Sequence, residues 1–237
     1  MESQMHYLPM TPGSFSILVF LALLLVILIQ LRILRYAYLS LGVSPGAAFL
    51  LLFGSLIGSY VNIPITELSG PPVRSGEIVD FFGMRYVVPL VTAPSTILAV
   101  NVGGAVIPTF MSIYLIVRYE LWVRAAIGTA IIAFIVHWLA TPVPGIGIAV
   151  PVFVPVVSVA IIALLLSRIY AAPLAYIAGS VGTLIGADIL NLDKIGSLGA
   201  PIASIGGAGT FDGVFLTGIL AVLLAAVVSP SPLHRAS

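Results

Sequence analysis

The sequence contains no cysteine and few charged residues, and each absence excludes large classes of protein. Without cysteine the chain forms no disulfide, thiolate nucleophile, iron–sulfur cluster or thiolate zinc site. Charged residues make up 7% of the 237 residues, against about 25% in an average soluble domain. A net charge of +1 excludes bulk electrostatic binding of nucleic acid. Because 60% of the residues are hydrophobic, the composition predicts an integral membrane protein whose partner is the lipid bilayer.

Long apolar stretches predict the number of membrane crossings, since one crossing takes about 20 mostly apolar residues. We expect an all-α integral membrane protein, a compact bundle of about seven transmembrane helices (six to eight), in a single transmembrane domain over 1–237. The predicted spans are 15–34, 44–63, 102–118, 121–140, 148–167, 172–190 and 210–229. The Gly-x-x-x-Gly pairs Gly54/Gly58 and Gly182/Gly186 favour close approach of helix backbones in such a bundle.

Basic residues gather at one set of span ends and predict the orientation of the chain. Six lie at the first set of ends: Arg32, Arg35, Arg118, Arg124, Arg168 and Arg235. Three lie at the other: Arg74, Arg85 and Lys194. This split predicts a multi-pass protein of the cell membrane with its N-terminus outside and its C-terminus in the cytoplasm. Segment 64–101 is then an extracytoplasmic loop or cap, and 191–209 is a second outer loop; the oligomeric state stays open.

Proline and glycine interrupt the apolar pattern near 87–108 and 141–155, which predicts broken or re-entrant segments there. Irregular backbone at membrane depth is tolerated where it is buried in protein or lines a wet cavity. The β-branched runs "MRYVVPLV" and "TILAV" favour a small hairpin or cap within 64–101.

Two aspartates are the strongest candidates for chemistry, because ionisable groups in spans are costly and mark functional sites. Asp188 ends the sixth span, against the helix dipole, and Asp212 begins the seventh. A hairpin through an outer loop places both at one depth, as a catalytic pair in an outward-facing polar cavity. The structural alternatives are an ion pair of Asp188 with Lys194 or a cap of the following loop, and a dipole-favoured Asp212 behind the N-cap Thr210.

Five further residues are candidate substrate-binding groups: Asn101, His137, Gly206, Gly207 and Gly209. The glycines free backbone N–H groups for an anion or an extended peptide. A histidine beside Trp138 is either a proton relay or metal ligand, or an ordinary interfacial hydrogen-bonding group. No His-Glu-x-x-His, Gly-x-Ser-x-Gly or phosphate-loop motif occurs, which disfavours a zinc metalloprotease and an ordinary nucleotidase. We predict no metal site and no cofactor.

The stretches "NIP" (62–64), "VNVGGAVIP" (100–108), "GADIL" (186–190) and "IGGAGTFDGVFLTGILAVLLA" (205–225) resemble an archaeal and bacterial family of polytopic membrane proteins, DUF1614. The resemblance covers nearly the whole chain and implies several membrane spans but no activity. A weaker similarity is to intramembrane aspartyl proteases of the presenilin and signal-peptide-peptidase type, and it implies a catalytic pair of Asp188 and Asp212. The chain departs from that type: "GAGTFD" has two extra residues before Asp212, Ala187 replaces a tyrosine, and no Pro-Ala-Leu motif follows.

Three functional hypotheses follow from these patterns. In the first, the aspartate pair hydrolyses a membrane-embedded peptide, as an aspartyl-protease-like enzyme. In the second, the broken segments frame a path for a small solute or cation, in an ion- or proton-coupled transporter or channel. In the third, the chain is a non-catalytic membrane scaffold.

Overall fold

The computed structural model describes Leu23 and nine further stretches of the chain. These are 41–69, 78–81, 84–87, 95–143, 147–151, 153–196, 200, 202–207 and 213–228, with the helix and strand bounds given below. Apart from Leu23, the first predicted span, 15–34, lies outside the described residues. Asp212 and Gly209 also lie outside them.

The described residues are mostly helical. The α-helices are α1 (Pro45–Gly58), α2 (Ile107–Tyr119), α3 (Trp122–Leu139), α4 (Phe153–Leu166), α5 (Ala171–Thr183), α6 (Leu192–Ile195) and α7 (Gly213–Val228). One π-helical turn, Val102–Val106, leads directly into α2. A second, Leu184–Asp188, continues α5 and passes through a 3₁₀ turn, Ile189–Asn191, into α6.

Three of these helical stretches are long and apolar enough to cross a membrane: Val102–Tyr119, Trp122–Leu139 and Ala171–Ile195. They match the predicted spans 102–118, 121–140 and 172–190. Shorter apolar helices, Phe153–Leu166 and Thr217–Ala226, lie within two other predicted spans. The predicted count of seven transmembrane helices is therefore not confirmed by the described residues.

The second predicted span, 44–63, ends earlier than expected. Helix α1 stops at Gly58, and the chain is extended from Asn62 onward. Pro64 disfavours helical backbone at Ile63, the residue before it. Hydropathy alone extended the helix because Val61, Ile63 and Ile65 are apolar.

The prediction of an all-α fold needs correction, because the described residues form three small sheets beside the helices. Strands β1 (Asn62–Ser69), β4 (Ser95–Asn101) and β7 (Ile202–Ile205) form one sheet in the order β1-β4-β7. Strands β2 (Ile78–Phe81) and β3 (Met84–Val87) pair as a hairpin, and so do β5 (Thr141–Val143) and β6 (Gly147–Ala149). The predicted strands in "MRYVVPLV" and "TILAV" are β3 and β4, but they belong to different sheets.

The central strand β4 joins the two predicted outer loops. It pairs antiparallel with β1 and parallel with β7, with Ile97 opposite Ile202 and Val100 opposite Ile205. Segments 64–101 and 191–209 therefore meet in one sheet. Both predicted interruptions contain irregular structure: β4 passes into a π-turn near 101, and the β5–β6 hairpin lies within 141–155.

Helix α5 lies at the centre of the packing, and every residue of it except Val181 is buried. It packs against α2, α3, α4 and α7. A Cβ added to Gly182 would lie 2.8 Å from the side chain of Ile132, and one added to Gly186 would overlap the carbonyl oxygen of Ala133. The predicted close approach at this Gly-x-x-x-Gly pair is thus confirmed for α3.

Candidate functional site

The first part of the candidate site is a buried hydrogen-bond network around Asn101, at the end of β4. The side chain of Asn101 is 0% exposed, and its Oδ1 accepts the backbone N–H of Gly104 at 2.8 Å. Its Nδ2 donates to the Ser59 carbonyl at 2.6 Å and to Asn62 Oδ1 at 2.9 Å. The Ser204 hydroxyl donates to the same Asn62 oxygen at 2.6 Å. The network ties all three strands of the sheet to the first π-turn.

Glycines bring the loop after β7 directly against that π-turn. A Cβ added to Gly104 would overlap the carbonyl oxygen of Gly206, and one added to Gly206 would lie 2.6 Å from the amide nitrogen of Ala105. Gly206 also has φ +85°, a left-handed conformation that favours glycine. Backbone therefore packs on backbone here, with no room for a side chain.

Asp188 lies beside the same loop, as the last residue of the second π-turn. Its side chain is half-buried, and Oδ2 accepts the backbone N–H of Gly206 at 2.7 Å. Ala105 and Leu184, one from each π-turn, pack together in a small buried cluster. Two predicted site residues, Asp188 and Gly206, are thus in direct contact, at a point where both helices are locally widened. Such π-turns are frequent at functional sites.

Asn191 holds the other side of the second π-turn. It is 0% exposed, and its Nδ2 donates to the carbonyls of Gly186 at 3.0 Å and Ala187 at 2.9 Å. The Lys194 ammonium donates to Asn191 Oδ1 at 2.7 Å. Carbonyls at the end of a helix lack intrahelical partners, and this amide supplies a donor to two of them.

The Asn191 network also reaches the ring of His137, at the end of α3. Asn191 Nδ2 lies 3.2 Å from His137 Nδ1. The amide orientation is set independently, because Oδ1 accepts from Lys194 and Nδ2 faces two carbonyl oxygens. An amide nitrogen only donates, so the contact is a hydrogen bond when His137 Nδ1 carries no proton.

The predicted site residues that the structure describes lie at one end of the helices. Asn101 lies beside the loop of Gly206, Gly206 contacts Asp188, and His137 is linked to the turn of Asp188 through Asn191. Gly207 is half-buried with φ +90°, and its N–H donates to the Ser204 carbonyl at 3.0 Å. The Asp188–Asp212 pairing stays a prediction, because Asp212 is outside the described residues.

Sequence reasoning missed three members of this site: Asn62, Asn191 and Ser204. A signal for two of them was present, because the chain contains only three asparagines and all three lie in these networks. A rare amide in an apolar chain is costly to bury unless it is hydrogen-bonded. The rarity of asparagine in this chain therefore indicates that Asn62 and Asn191 belong to hydrogen-bonded sites.

Among the described residues, the ionisable side chains that take part in these contacts are the Asp188 carboxylate, the His137 imidazole and the Lys194 ammonium group. In the described ranges, no three His, Cys, Asp or Glu side chains lie close enough together to hold a metal ion. The Thr183 hydroxyl, 3% exposed at the end of α5, has no hydrogen-bond partner among the described groups. A buried polar atom without a partner is uncommon and marks a place where a further polar group fits.

The comparisons with known proteins identify a family but no activity. A family model described as "Protein of unknown function (DUF1614)" matches residues 56–224, which confirms the resemblance predicted from the sequence. The matched range contains the sheet, both π-turns and the two asparagine networks. Searches of curated proteins and of solved structures returned no match. The weaker similarity to intramembrane aspartyl proteases gains no support from these comparisons.

Proposed function

The chain belongs to the DUF1614 family, and we propose that it is an intramembrane hydrolase in which Asp188 and Asp212 activate a water molecule. The observation that carries the proposal is the 2.7 Å hydrogen bond from the Gly206 N–H to the Asp188 carboxylate. It places the aspartate that ends one apolar helix against the glycine loop that leads to the next. Asp212 follows Gly206 by six residues.

The packing of α5 on α7 supports a position for Asp212 near Asp188. Gly206 contacts Asp188. Farther along the chain, a Cβ added to Gly179 would lie 3.1 Å from the Cα atom of Gly218. Residue 188 lies against residue 206, and residue 179 lies against residue 218, so α5 with its π-turn runs antiparallel to α7. Position 212 falls midway between 206 and 218. We therefore expect it opposite the stretch between 179 and 188, which includes the Thr183 hydroxyl, a group with no hydrogen-bond partner among the described residues.

Two carboxyl groups close together in a low-dielectric site divide the roles of acid and base. They do not both ionise readily, so one keeps its proton. The ionised carboxylate takes a proton from water as the water oxygen bonds to the carbonyl carbon of a peptide bond. The protonated carboxyl gives its proton to the carbonyl oxygen, and collapse of the tetrahedral intermediate breaks the C–N bond as the amine nitrogen is protonated. The products are one carboxylic acid and one amine.

The proposed substrate is a membrane-embedded peptide, and the test removes each carboxylate in turn. The full chain is reconstituted in liposomes with a panel of single-span peptides tagged at both ends, and cleavage is followed by mass spectrometry. We expect cleavage by the unmodified chain and its loss, at least 100-fold on the scale of acid–base contributions, in Asp188→Asn and in Asp212→Asn. The matched control is Asp193→Asn, because Asp193 is an exposed acid on α6.

The same variants separate catalysis from a structural role. A hydrolase keeps its thermal unfolding midpoint in both variants while it loses cleavage. A scaffold, in which Asp188 only fastens the Gly206 loop, loses stability in Asp188→Asn and has no cleavage to lose. Full cleavage by either single variant contradicts the dyad.

Transport of a small solute or cation is the second candidate, and the contact between the two π-turns favours it. Strand β4 passes without a loop into the first π-turn, which packs on the second through Ala105 and Leu184. Interrupted helices of this kind bind substrates and ions in secondary transporters. Solute or proton flux into proteoliposomes that exceeds empty vesicles, and that persists in a cleavage-inactive preparation, favours this function over hydrolysis.

A further inference from the structure

A group of arginines lies at the opposite end of the helices from the candidate site. Helix α2 ends at Tyr119 and α3 begins at Trp122, while α4 ends at Leu166 and α5 begins at Ala171. The two turns meet through the rings of Tyr119 and Tyr170, whose centroids are 5.4 Å apart. The exposed side chains of Arg118, Arg124 and Arg168, which we call the arginine rim, lie on or next to these turns.

The guanidinium of Arg118 is held in place by aromatic side chains. It donates a hydrogen bond to the Tyr114 hydroxyl, and its central carbon lies 5.7 Å from the ring centroids of both Tyr114 and Tyr119. Tyr119 is itself fixed, since its hydroxyl donates to the Leu41 carbonyl at 3.0 Å. A guanidinium has five N–H donors, and the hydroxyls of Tyr114 and Tyr119 accept from this one. Fixing the group in advance lowers the entropic cost of binding an anion.

The depth of the rim in the bilayer selects the kind of anion it meets. The rim lies where the apolar stretches 102–119 and 122–139 end, and Trp122, 60% exposed, has the position of an interfacial anchor. Phospholipid phosphates lie at this depth. Within 118–124 and 166–171 three arginines face one acid, Glu120, so the net charge favours headgroups that are themselves negative.

We propose that the arginine rim binds the phosphate of anionic phospholipids in the leaflet on its side of the membrane. Arg118 supplies a planar, aromatic-stacked donor face, and Arg124 and Arg168 add charge around it. Each basic residue near an anionic surface contributes about 1 kcal/mol, which corresponds to about fivefold in affinity. The proposal is independent of the hydrolase hypothesis.

The chain's two tryptophans provide the test. Trp122 lies at the rim and Trp138 at the other end of α3, 81% exposed. In a Trp138→Phe background, Trp122 alone reports quenching by brominated phosphatidylglycerol or brominated phosphatidylcholine in mixed micelles of the full chain. In a Trp122→Phe background, Trp138 reports the same lipids at the far end.

We expect brominated phosphatidylglycerol to quench Trp122 at lower mole fraction than brominated phosphatidylcholine, with no such preference at Trp138. Arg118→Gln and Arg124→Gln should each reduce the preference about fivefold, while the charge-matched control Arg85→Gln leaves it unchanged. If Arg118→Gln does not fold, Arg124→Gln alone tests the lipid preference.

Three results overturn the proposal. One is equal quenching by the two lipids at Trp122. Another is a preference that survives both arginine variants. The third is full displacement by millimolar inorganic phosphate, which would assign the rim to a free anion.

Discussion

The two π-turns are each held by one fully buried asparagine, and the two asparagines use opposite sides of their amides. Asn101 precedes the first turn and accepts the Gly104 N–H with its oxygen. Asn191 follows the second turn and donates from its nitrogen to the carbonyls of Gly186 and Ala187. A helix begins with N–H groups that lack partners and ends with carbonyls that lack them. One residue type therefore closes both kinds of end.

The remaining half of each amide connects its turn to a different neighbour. The nitrogen of Asn101 reaches the backbone of Ser59 and the side chain of Asn62, so it fastens the first turn to the sheet. The oxygen of Asn191 accepts from Lys194, and its nitrogen also faces His137. The first network contains only uncharged groups, whereas the second adjoins a cation, an imidazole and Asp188. We therefore expect the first network to contribute mainly to stability, and the second, under the proposed function, to contribute to activity.

The largest expected effect on stability comes from a substitution at Gly206, whose backbone contacts both the first π-turn and Asp188 of the second. Gly206→Ala forces a left-handed alanine and places its Cβ 2.6 Å from the Ala105 nitrogen. Together the backbone strain and the overlap cost about 3 kcal/mol or more. Thermal and denaturant unfolding in detergent micelles measure the loss. The control is Gly46→Ala, where an added Cβ meets nothing within 4 Å; equal stability of the two variants would refute the close packing.

The next effect is expected at Asn101. Asn101→Leu keeps the approximate volume but removes the acceptor of the buried Gly104 N–H and one donor to the Ser59 carbonyl. Each unsatisfied buried group costs about 1–3 kcal/mol, so we expect a loss of about 3 kcal/mol in the free energy of unfolding. Hydrogen exchange of the Gly104 amide is a second measurement, because this amide should lose its protection. A variant as stable as the parent would show that the first turn does not depend on its asparagine.

A smaller effect on stability is expected at Asn191. Asn191→Leu removes a hydrogen-bond donor from the carbonyl oxygens of Gly186 and Ala187. Loss of a partner costs a buried carbonyl less than it costs a buried N–H. We expect a loss of about 1–2 kcal/mol, below that of Asn101→Leu. The comparison sharpens if cleavage is measured alongside unfolding, since Asn191→Leu should impair activity more than stability. A larger loss of stability in Asn191→Leu than in Asn101→Leu would contradict the difference proposed between the two turns.

The sequence predicted three stretches that the structure shows to be long and apolar enough to cross a membrane, because a bilayer imposes a length that apolar runs reveal; the predicted count of seven is not confirmed by the described residues. The stretch 171–195 is one example, and Asp188 at its unfavourable end was recognised as unusual. The pairing of Ile97 with Ile202 was not predictable, since the register between strands 105 residues apart leaves no periodic trace. The π-turns were equally hidden, because hydropathy carries no signal for one extra residue in a helical turn.

The pairing of Asp188 with Asp212 is the central claim, and engineered cysteines test it most directly. Because the chain has no cysteine, Asp188→Cys with Asp212→Cys introduces the only two thiols. The positive control is Leu98→Cys with Ala203→Cys, which are register partners in β4 and β7. Each pair is treated in membranes with an oxidant or a short bis-methanethiosulfonate linker, and intact mass reports the cross-link. The account predicts that the 188/212 pair joins as completely as the control pair. A control pair that joins while 188 and 212 stay unlinked under both treatments would contradict it.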